Sequence, residues 1–448
     1  MFTAITMNTI TRPRKTLFAT LLISGMVLSG YQQVVSMTQE TDQPRTGEDT
    51  WWKGNLHTHS LWSDGDHFPE VIVQWYQKQG YDFLALTEHD KLSRGQKWIN
   101  PETNRFSLRG GGMEVFEYYH SQYGDDWVET REMDGELEVR LKPMVEYRTL
   151  FERAGEFLLM DAKEIAESGH PVHVNATNII EHIDPLEADS WEETIRAYVA
   201  QVEIQRKRLG QEMMMHLNHP NWRGAVTAED MANVENLRLF ELYNGHRGTL
   251  SFGGDDGLKS VERMWDIALA KRVEAGLSPL YGMATDDAHN YRDSNTDVAR
   301  PGRGWVMVQS AYLTPERLML ALENGDFYSS SGVTLQSIES NEDFYKLQVN
   351  PEEGVEYTIQ FIGTRIGYDA TSEPFLDDAG QPREDRTALY SSDIGEILQE
   401  TTGAEAEYEF VGDELYVRVN VISSKAKKNY IVEGEKEKAW LQPILPGK

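Results

Sequence analysis

The 448-residue chain predicts an α/β protein, a barrel-like array of about seven βα units followed by a smaller all-β, sandwich-like module. Three observations carry this reading. Strand-like and helix-like segments alternate from Trp51 to about Gly332, the pattern of βαβ units and a mostly parallel sheet. Beyond Gly332 the segments become short, alternating and broken by Gly, Pro and Asn, as in a small sandwich. All 12 histidines lie between His57 and His289, which places any reactive centre in the first region and not in residues 333–448.

Taken in order, Arg12, Arg14 and Lys15 precede the apolar run TLFATLLISGMVLSGY. This reads as a secretory signal or N-terminal anchor within residues 1–36. Residues 37–50 read as a polar linker. The protein is therefore expected to be exported, periplasmic or extracellular. It has no cysteine, so it relies on no disulfide and has no thiolate to offer as ligand or nucleophile.

GNLHTH is a short strand. Pro69 opens the helix FPEVIVQWYQKQGY, whose Val71, Ile72, Trp75 and Tyr76 share a face, and Gly80 stops it. YDFLALT is a buried strand. Residues 91–150 interrupt the rhythm; WVETREMDGELEVRLKP alternates around Asp134-Gly135, a hairpin signal, and reads as an insertion over the barrel mouth. FLLMDAKEI and PVHVNA are strands. Ser190 with Glu193 predicts a capping box for a helix to about Leu209. The strand MMMHLNHP, a short helix capped by Thr227, and the strand LRLFELYNG follow. VERMWDIALAKRVEAG leads into LYGMATDDAH, and Pro315 begins the helix TPERLMLALENG before DFYSSSG. In the tail, LQSIES, YKLQV, YTIQFIG, YEFVG and LYVRVNVISS are short strands.

The formal net charge of −30 argues against a nucleic-acid-binding surface, because phosphate backbones need clustered Lys and Arg. It equally disfavours docking on anionic lipid, and no membrane contact beyond an N-terminal anchor is expected. The sequence contains no Ser-His-Asp pattern, phosphate loop or internal repeat. No feature specifies an oligomeric state.

His57 and His59 stand at i and i+2 of a strand and so project to one face, the geometry for two imidazoles on one metal ion. Further candidate ligands sit at or just past predicted strand ends, where barrel active sites are built. They are Asp64, His89, Glu164, His173, His219, Asp287 and His289.

The order and contexts of these residues resemble the PHP (polymerase and histidinol phosphatase) family. WWKGNLHTHSLWSDGD, the following TEHD, GRGWV and the tail AWLQP are similar to its carbaryl-hydrolase-like branch. The resemblance covers residues 51–332 and, through EKAWLQP, reaches weakly into the tail. It implies a distorted seven-stranded β/α barrel and a metal-dependent hydrolase with two or three divalent ions. His57, His59, Glu164 and Asp287 would hold the first ion, with Glu164 bridging. Asp64, His89 and His289 would hold the second, and His173 and His219 with Glu164 the third. Asp64 stands where some relatives use histidine, which bears on metal preference. The insertion between His89 and Glu164 is a departure in length that weakens any transfer of substrate.

Nitrogen and oxygen ligands without sulfur suit Zn²⁺, Mn²⁺ or Fe²⁺. Three carboxylates against two or three divalent ions leave a net charge of about +1 to +3. That cationic pocket favours a small anionic substrate or an oxyanion transition state. A water on such ions has a pKa near about 7 and supplies hydroxide without a protein nucleophile. Phosphoester hydrolysis is the leading expectation. Hydrolysis of a carboxylic or carbamic ester or amide is the alternative implied by the branch, and a non-catalytic metal-bound binding protein is the third reading. Two or more Arg or Lys converging on the metals would favour phosphate, whereas an apolar aromatic wall would favour the alternative.

Among flanking residues, Arg303 in PGRGW is the candidate cationic clamp, since glycines on both sides allow close approach to a ligand. Lys91 and Arg94 read as solvated surface. Glu88 and Asp90 flank His89; either could partner a ligand or shuttle protons, with Asp90 kept as a candidate catalytic residue, and an acidic rim is the simpler account. Asp286 reads as structural. His67, His120, His170, His182 and His246 read as surface or loop residues, and His216 as core. Trp51, Trp52 and Trp62 read as core packing.

Overall fold

Short apolar runs between the helices become strands of one long mixed sheet in the computed structural model. It describes residues 50–447 except 167–169, 187 and 293–297. The expected signal, and the linker up to residue 49, lie outside the described residues. Seven strands carry the candidate site: β1 (Thr50–Asn55), β2 (Phe83–Leu86), β3 (Leu158–Ile165), β4 (Val174–Thr177), β5 (Met214–Leu217), β6 (Leu239–Asn244) and β7 (Tyr281–Thr285). They neighbour one another in chain order. The pairs β1–β2, β2–β3, β5–β6 and β6–β7 are parallel.

β4 breaks the expected succession of βα units. It runs antiparallel to both β3 and β5, and no helix among the described residues separates it from β3. Without a crossover helix a strand can only return beside its predecessor antiparallel. The two ends of the seven-strand run meet where the chain continues past β1 and β7. There Thr58 forms an isolated parallel bridge to Ala288. The His59 N–H donates to the Ala288 carbonyl at 3.0 Å and the Asp287 N–H to the His57 carbonyl at 2.9 Å.

The helices follow their capping signals. Helix α1 (Pro69–Lys78) starts on Pro69 and buries Ile72, Val73 and Tyr76. Helix α2 (Trp191–Leu209) is capped by the Ser190 side chain, which accepts from the Glu193 N–H, and ends at Gly210 in the left-handed region. Thr227 and Asp230 form a reciprocal capping box on α3 (Ala228–Asn233). Ser260 caps α4 (Val261–Glu274), and Thr314 caps α5 (Pro315–Asn324).

Within the insertion, strands Thr130–Met133 and Glu136–Leu141 pair around Asp134-Gly135. Both turn residues have positive φ, +54° and +82°, as a two-residue type I′ turn requires. Trp62, Phe68, Val115, Tyr119, Val139 and Leu141 form a common core that roots the insertion against the segment between β1 and α1.

The sheet does not stop at Gly332. β8 (Trp305–Ser310) pairs with β1, and β9 (Phe327–Ser330) pairs with β8. The tail supplies β10 (Leu335–Ser340), β11 (Phe344–Val349), β12 (Tyr357–Arg365), β13 (Glu396–Thr402), β14 (Glu405–Glu409), β15 (Glu414–Ala426) and β16 (Lys436–Ile444). β16 joins β9, so the same sheet continues through β16, β15, β12 and β13, while β10, β11 and β14 form a second sheet. Leu335, Leu347, Ile359, Phe361, Val419 and Leu441 fill the core between them. Each such side chain contributes about 1.5–3 kcal/mol on burial.

Candidate metal centre

Beyond Asn55 the β1 chain keeps its period of two. The Asn55 side chain accepts from the His57 N–H and donates to the Gly304 carbonyl, both at 3.0 Å. The Thr58 hydroxyl turns to the tyrosine hydroxyls of Tyr76 and Tyr291. His57 and His59 therefore face the opposite way, into the end of the strand run, fully buried.

His57 Nε2 lies 3.3 Å from both Glu164 Oε2 and Asp287 Oδ1. His59 Nε2 lies 3.3 Å and 3.2 Å from the same two oxygens. Four ligand atoms set tetrahedrally about 2.0–2.1 Å from a zinc ion stand roughly 3.3 Å apart. The four imidazole-to-carboxylate spacings match that separation, and the ligand atoms of His57, His59 and Asp287 form one compact group that Glu164 Oε2 flanks. Asp64 Oδ1 gathers a second group, at 3.3 Å from His289 Nε2, 3.4 Å from His89 Nε2 and 3.7 Å from His59 Nδ1. The other oxygen of Glu164, Oε1, faces a third, at 3.0 Å from His173 Nδ1 and 3.5 Å from His219 Nε2. All nine residues proposed from sequence come together, with Glu164 between two groups.

The residues fit cations on two counts. His59 Nε2, Asp64 Oδ1 and His89 Nδ1 are buried and have no hydrogen-bond partner, a rarity in folded proteins. Among the described residues, the ion-pair partners of the Asp64, Glu164 and Asp287 carboxylates are all histidines. With no Lys or Arg among those partners, the balancing charge beside these carboxylates comes from imidazolium protons or from cations.

The titration of the side chains shows the same need. Burial disfavours imidazolium at His57, yet Asp287, Glu241 and Glu164 carry its pKa well above the ordinary value. Against the same burial, Glu164 and Asp64 bring His89 up to about 10. Asp64 and Asp287 likewise bring His289 up to about 9. His59, buried between His289 and His89, falls to about 4. Burial alone would raise the carboxyls; the facing histidines instead hold Asp64, Glu164 and Asp287 well below the carboxylate range.

Two candidate ligands sit on strained backbone, Asp287 with φ +48° and His219 with φ +20°. Such conformations cost about 1–3 kcal/mol each and persist where the surroundings enforce them.

Several flanking residues take other roles than expected. Glu88 is no rim residue. It is fully buried and accepts from the Ser60 and Ser63 hydroxyls and the Ser60 N–H, so it fastens the turn that carries Asp64. Asp90 ties the end of β3, its carboxylate accepting from the Ala166 N–H at 3.0 Å and its own N–H donating to the Glu164 carbonyl at 2.8 Å. The Arg303 guanidinium is fully buried and donates to the Gly245 carbonyl at 2.7 Å and to Asn429 Oδ1 at 3.2 Å. It is held by the protein, not presented as an exposed clamp. Asp286 is structural, accepting from the backbone N–H groups of Gly302, Arg303 and Gly304. Arg94 is spent on Asp161 at the surface, and Lys91 is exposed.

His67 is buried, contrary to the surface reading, with its ring against Tyr118. His246 is also drawn in, its ring centroid 5.8 Å from that of His289. The His170 carbonyl lies 3.0 Å from His173 Nε2, which leaves His173 Nδ1 for Glu164. His216 is buried, as expected, and His120 and His182 pair with surface acids. Trp222 forms an aromatic wall, 4.5 Å from the His173 ring and 5.6 Å from that of His219, with Arg223 stacked on it at 4.4 Å.

Glu241, which the sequence reading passed over, lies 2.6 Å from His57 Nδ1. Its signal was an acid inside the apolar run LFELY, where a buried charge requires a partner.

No family model and no curated protein matches the chain. Among solved structures, it is similar to a two-domain protein from Bacteroides vulgatus described as containing a predicted PHP-like metal-dependent phosphoesterase. That likeness has 16% identity and a TM-score of 0.37, and covers 90% of this chain and 97% of the other. A proposed metal-dependent phosphoesterase from Bifidobacterium adolescentis shares 12% identity over 55% of this chain and 91% of its own, with a TM-score of 0.26. An amidohydrolase from Chromobacterium violaceum, with bound sulfate and no metal, shares 13% identity over 61% and 96%, with a TM-score of 0.25.

Proposed function

We propose that the chain is an exported, metal-dependent hydrolase acting on a small anionic substrate, with phosphoester hydrolysis as the leading chemistry. The observation that carries this is the convergence of His57 and His59 on Glu164 and Asp287, each Nε2 standing 3.2–3.3 Å from both carboxylates. Two or three divalent cations (Zn²⁺, Mn²⁺ or Fe²⁺) would supply Lewis acidity and a hydroxide nucleophile near neutral pH. The chain's own residues orient and enclose. Glu164 faces two candidate positions with separate oxygens, and the turn fastened by Glu88 holds Asp64 towards His89 and His289. Trp222 closes one side.

Hydrolysis of a carboxylic or carbamic ester or amide is the second reading. It is favoured by the Trp222 wall and by the commitment of Arg303 and Arg94 to protein partners. A binding protein without chemistry would be expected to lack candidate ligands, and none of the nine is missing.

The test strips the purified protein with chelator and reloads it with Zn²⁺, Mn²⁺ or Fe²⁺. Each form is then assayed on phosphomonoester, phosphodiester, aryl ester and carbamate substrates. Metal-restored hydrolysis of a phosphoester is expected. Turnover of the carbon esters alone moves the assignment to the second reading, and no turnover by any reloaded form overturns the enzyme.

A further inference from the structure

Resting on the metal-dependent reading, we infer that Glu241 is a positioning residue that sets the first and third candidate cation positions together. Glu241 is 1% exposed, in mid-strand in β6. Its Oε1 lies 2.6 Å from His57 Nδ1 and accepts from the Thr285 hydroxyl at 2.7 Å. Its Oε2 accepts from the His219 backbone N–H and from Asn244 Nδ2, both at 2.8 Å. A carboxylate has about four acceptor sites, so this one is fully used.

Asn244 relays the contact, its Nδ2 also reaching Asp287 Oδ2 at 3.1 Å. With Nδ1–H directed at Glu241, His57 keeps Nε2 as the nitrogen facing Glu164 and Asp287, free to offer its lone pair once a cation displaces the proton there. That is the tautomer a cation requires, and fixing it is the usual work of a carboxylate behind a ligating histidine. The bond to the His219 N–H steadies a backbone at φ +20°, and the relay through Asn244 steadies Asp287 at φ +48°. One buried acid therefore orients a ring, a carboxylate and a strained main chain.

Glu241→Gln keeps the shape and defeats the pattern. If the new amide N–H groups face His57, Nδ1 must accept and Nε2 takes the proton, which removes it as a ligand. If they face the other way, they oppose the His219 and Asn244 donors. The experiment titrates Zn²⁺ and Co²⁺ into metal-free wild-type and Glu241→Gln full-length protein against a chromophoric chelator. It also records the visible Co²⁺ spectrum and the melting of the metal-free forms.

The variant is expected to bind about 10–100-fold more weakly, with a changed Co²⁺ spectrum and a retained melting transition. Unchanged affinity and spectrum overturn the inference and leave the metal-dependent reading standing. If wild type binds neither ion, that reading falls and the inference with it. Should the glutamine variant fail to fold, Asn244→Ala, which leaves the Glu241–His57 contact in place, decides the matter. Weakened binding supports the inference and unchanged binding overturns it.

Discussion

Glu164 and His57 are 107 positions apart in the chain, yet Oε2 of one stands 3.3 Å from Nε2 of the other, both side chains buried. The strand run brings them there although β3 and β1 are not direct neighbours in the sheet.

Replacing His57 and His59 together by alanine removes two of the four atoms around the first candidate position. Metal affinity is expected to fall by more than the 10–100-fold typical of outer-sphere substitutions, and hydrolysis with it, while far-UV dichroism stays native. Hydrolysis retained by the double variant would refute the assigned centre.

The metal-free protein has a distinct pH response. A histidine whose folded pKa exceeds the ordinary 6.5 stabilises below 6.5 and loses that contribution as pH climbs through the folded value. His89 at about 10 and His289 at about 9 are such groups. The melting temperature of stripped protein should therefore decline from about pH 6.5 to about 10. Asp64, Glu164 and Asp287, held low, set the acid limb, where stability is lost as pH falls. Bound cations should flatten the alkaline decline. At pH 7 their binding should release more than one proton per chain, measurable by calorimetry in buffers of different ionisation enthalpy. Proton-neutral binding would contradict this.

Arg418 of β15 reaches Asp266 of α4 with two charge-assisted bonds of 2.7 Å, both side chains buried. Removing one member leaves the other charged and dry, so Asp266→Ala should cost about 3–5 kcal/mol in urea denaturation. Combining Asp266→Leu with Arg418→Met should recover most of it. A loss below about 1 kcal/mol for the single variant, the range of exposed pairs, would show that water reaches the site.

Ending the chain after Gly332 uncovers the edge of β9 that β16 occupies and strips Tyr328 of its apolar neighbours. An open, apolar strand edge invites pairing with other chains. The fragment should be insoluble or oligomeric by size-exclusion chromatography, whereas a soluble monomer would show that β9 needs no cover.

Much of the centre was legible because ligand side chains obey strand periodicity and occupy strand ends. His57 and His59 share a face, and Asp64, His89, Glu164 and His289 gather where such ends converge. Helix starts were legible from Ser190, Thr227, Pro69 and Pro315, whose capping chemistry is local. β4 was misjudged because strand direction depends on whether a helix intervenes, and residues 157–176 contain two strand-like runs without helical periodicity between them. The burial of Glu88, Glu241, His67 and Arg303 was hidden because the groups that satisfy them come from distant segments, such as Ser63 for Glu88 and Asn429 for Arg303.

The Thr58–Ala288 bridge has one more consequence. The stretches that close the seam between first and last strand, residues 57–59 and 287–288, also bear His57, His59 and Asp287. Whatever seats among those three side chains staples the two stretches together. Amide hydrogens along this seam should therefore exchange with deuterium fastest in the stripped protein and slow most sharply on loading.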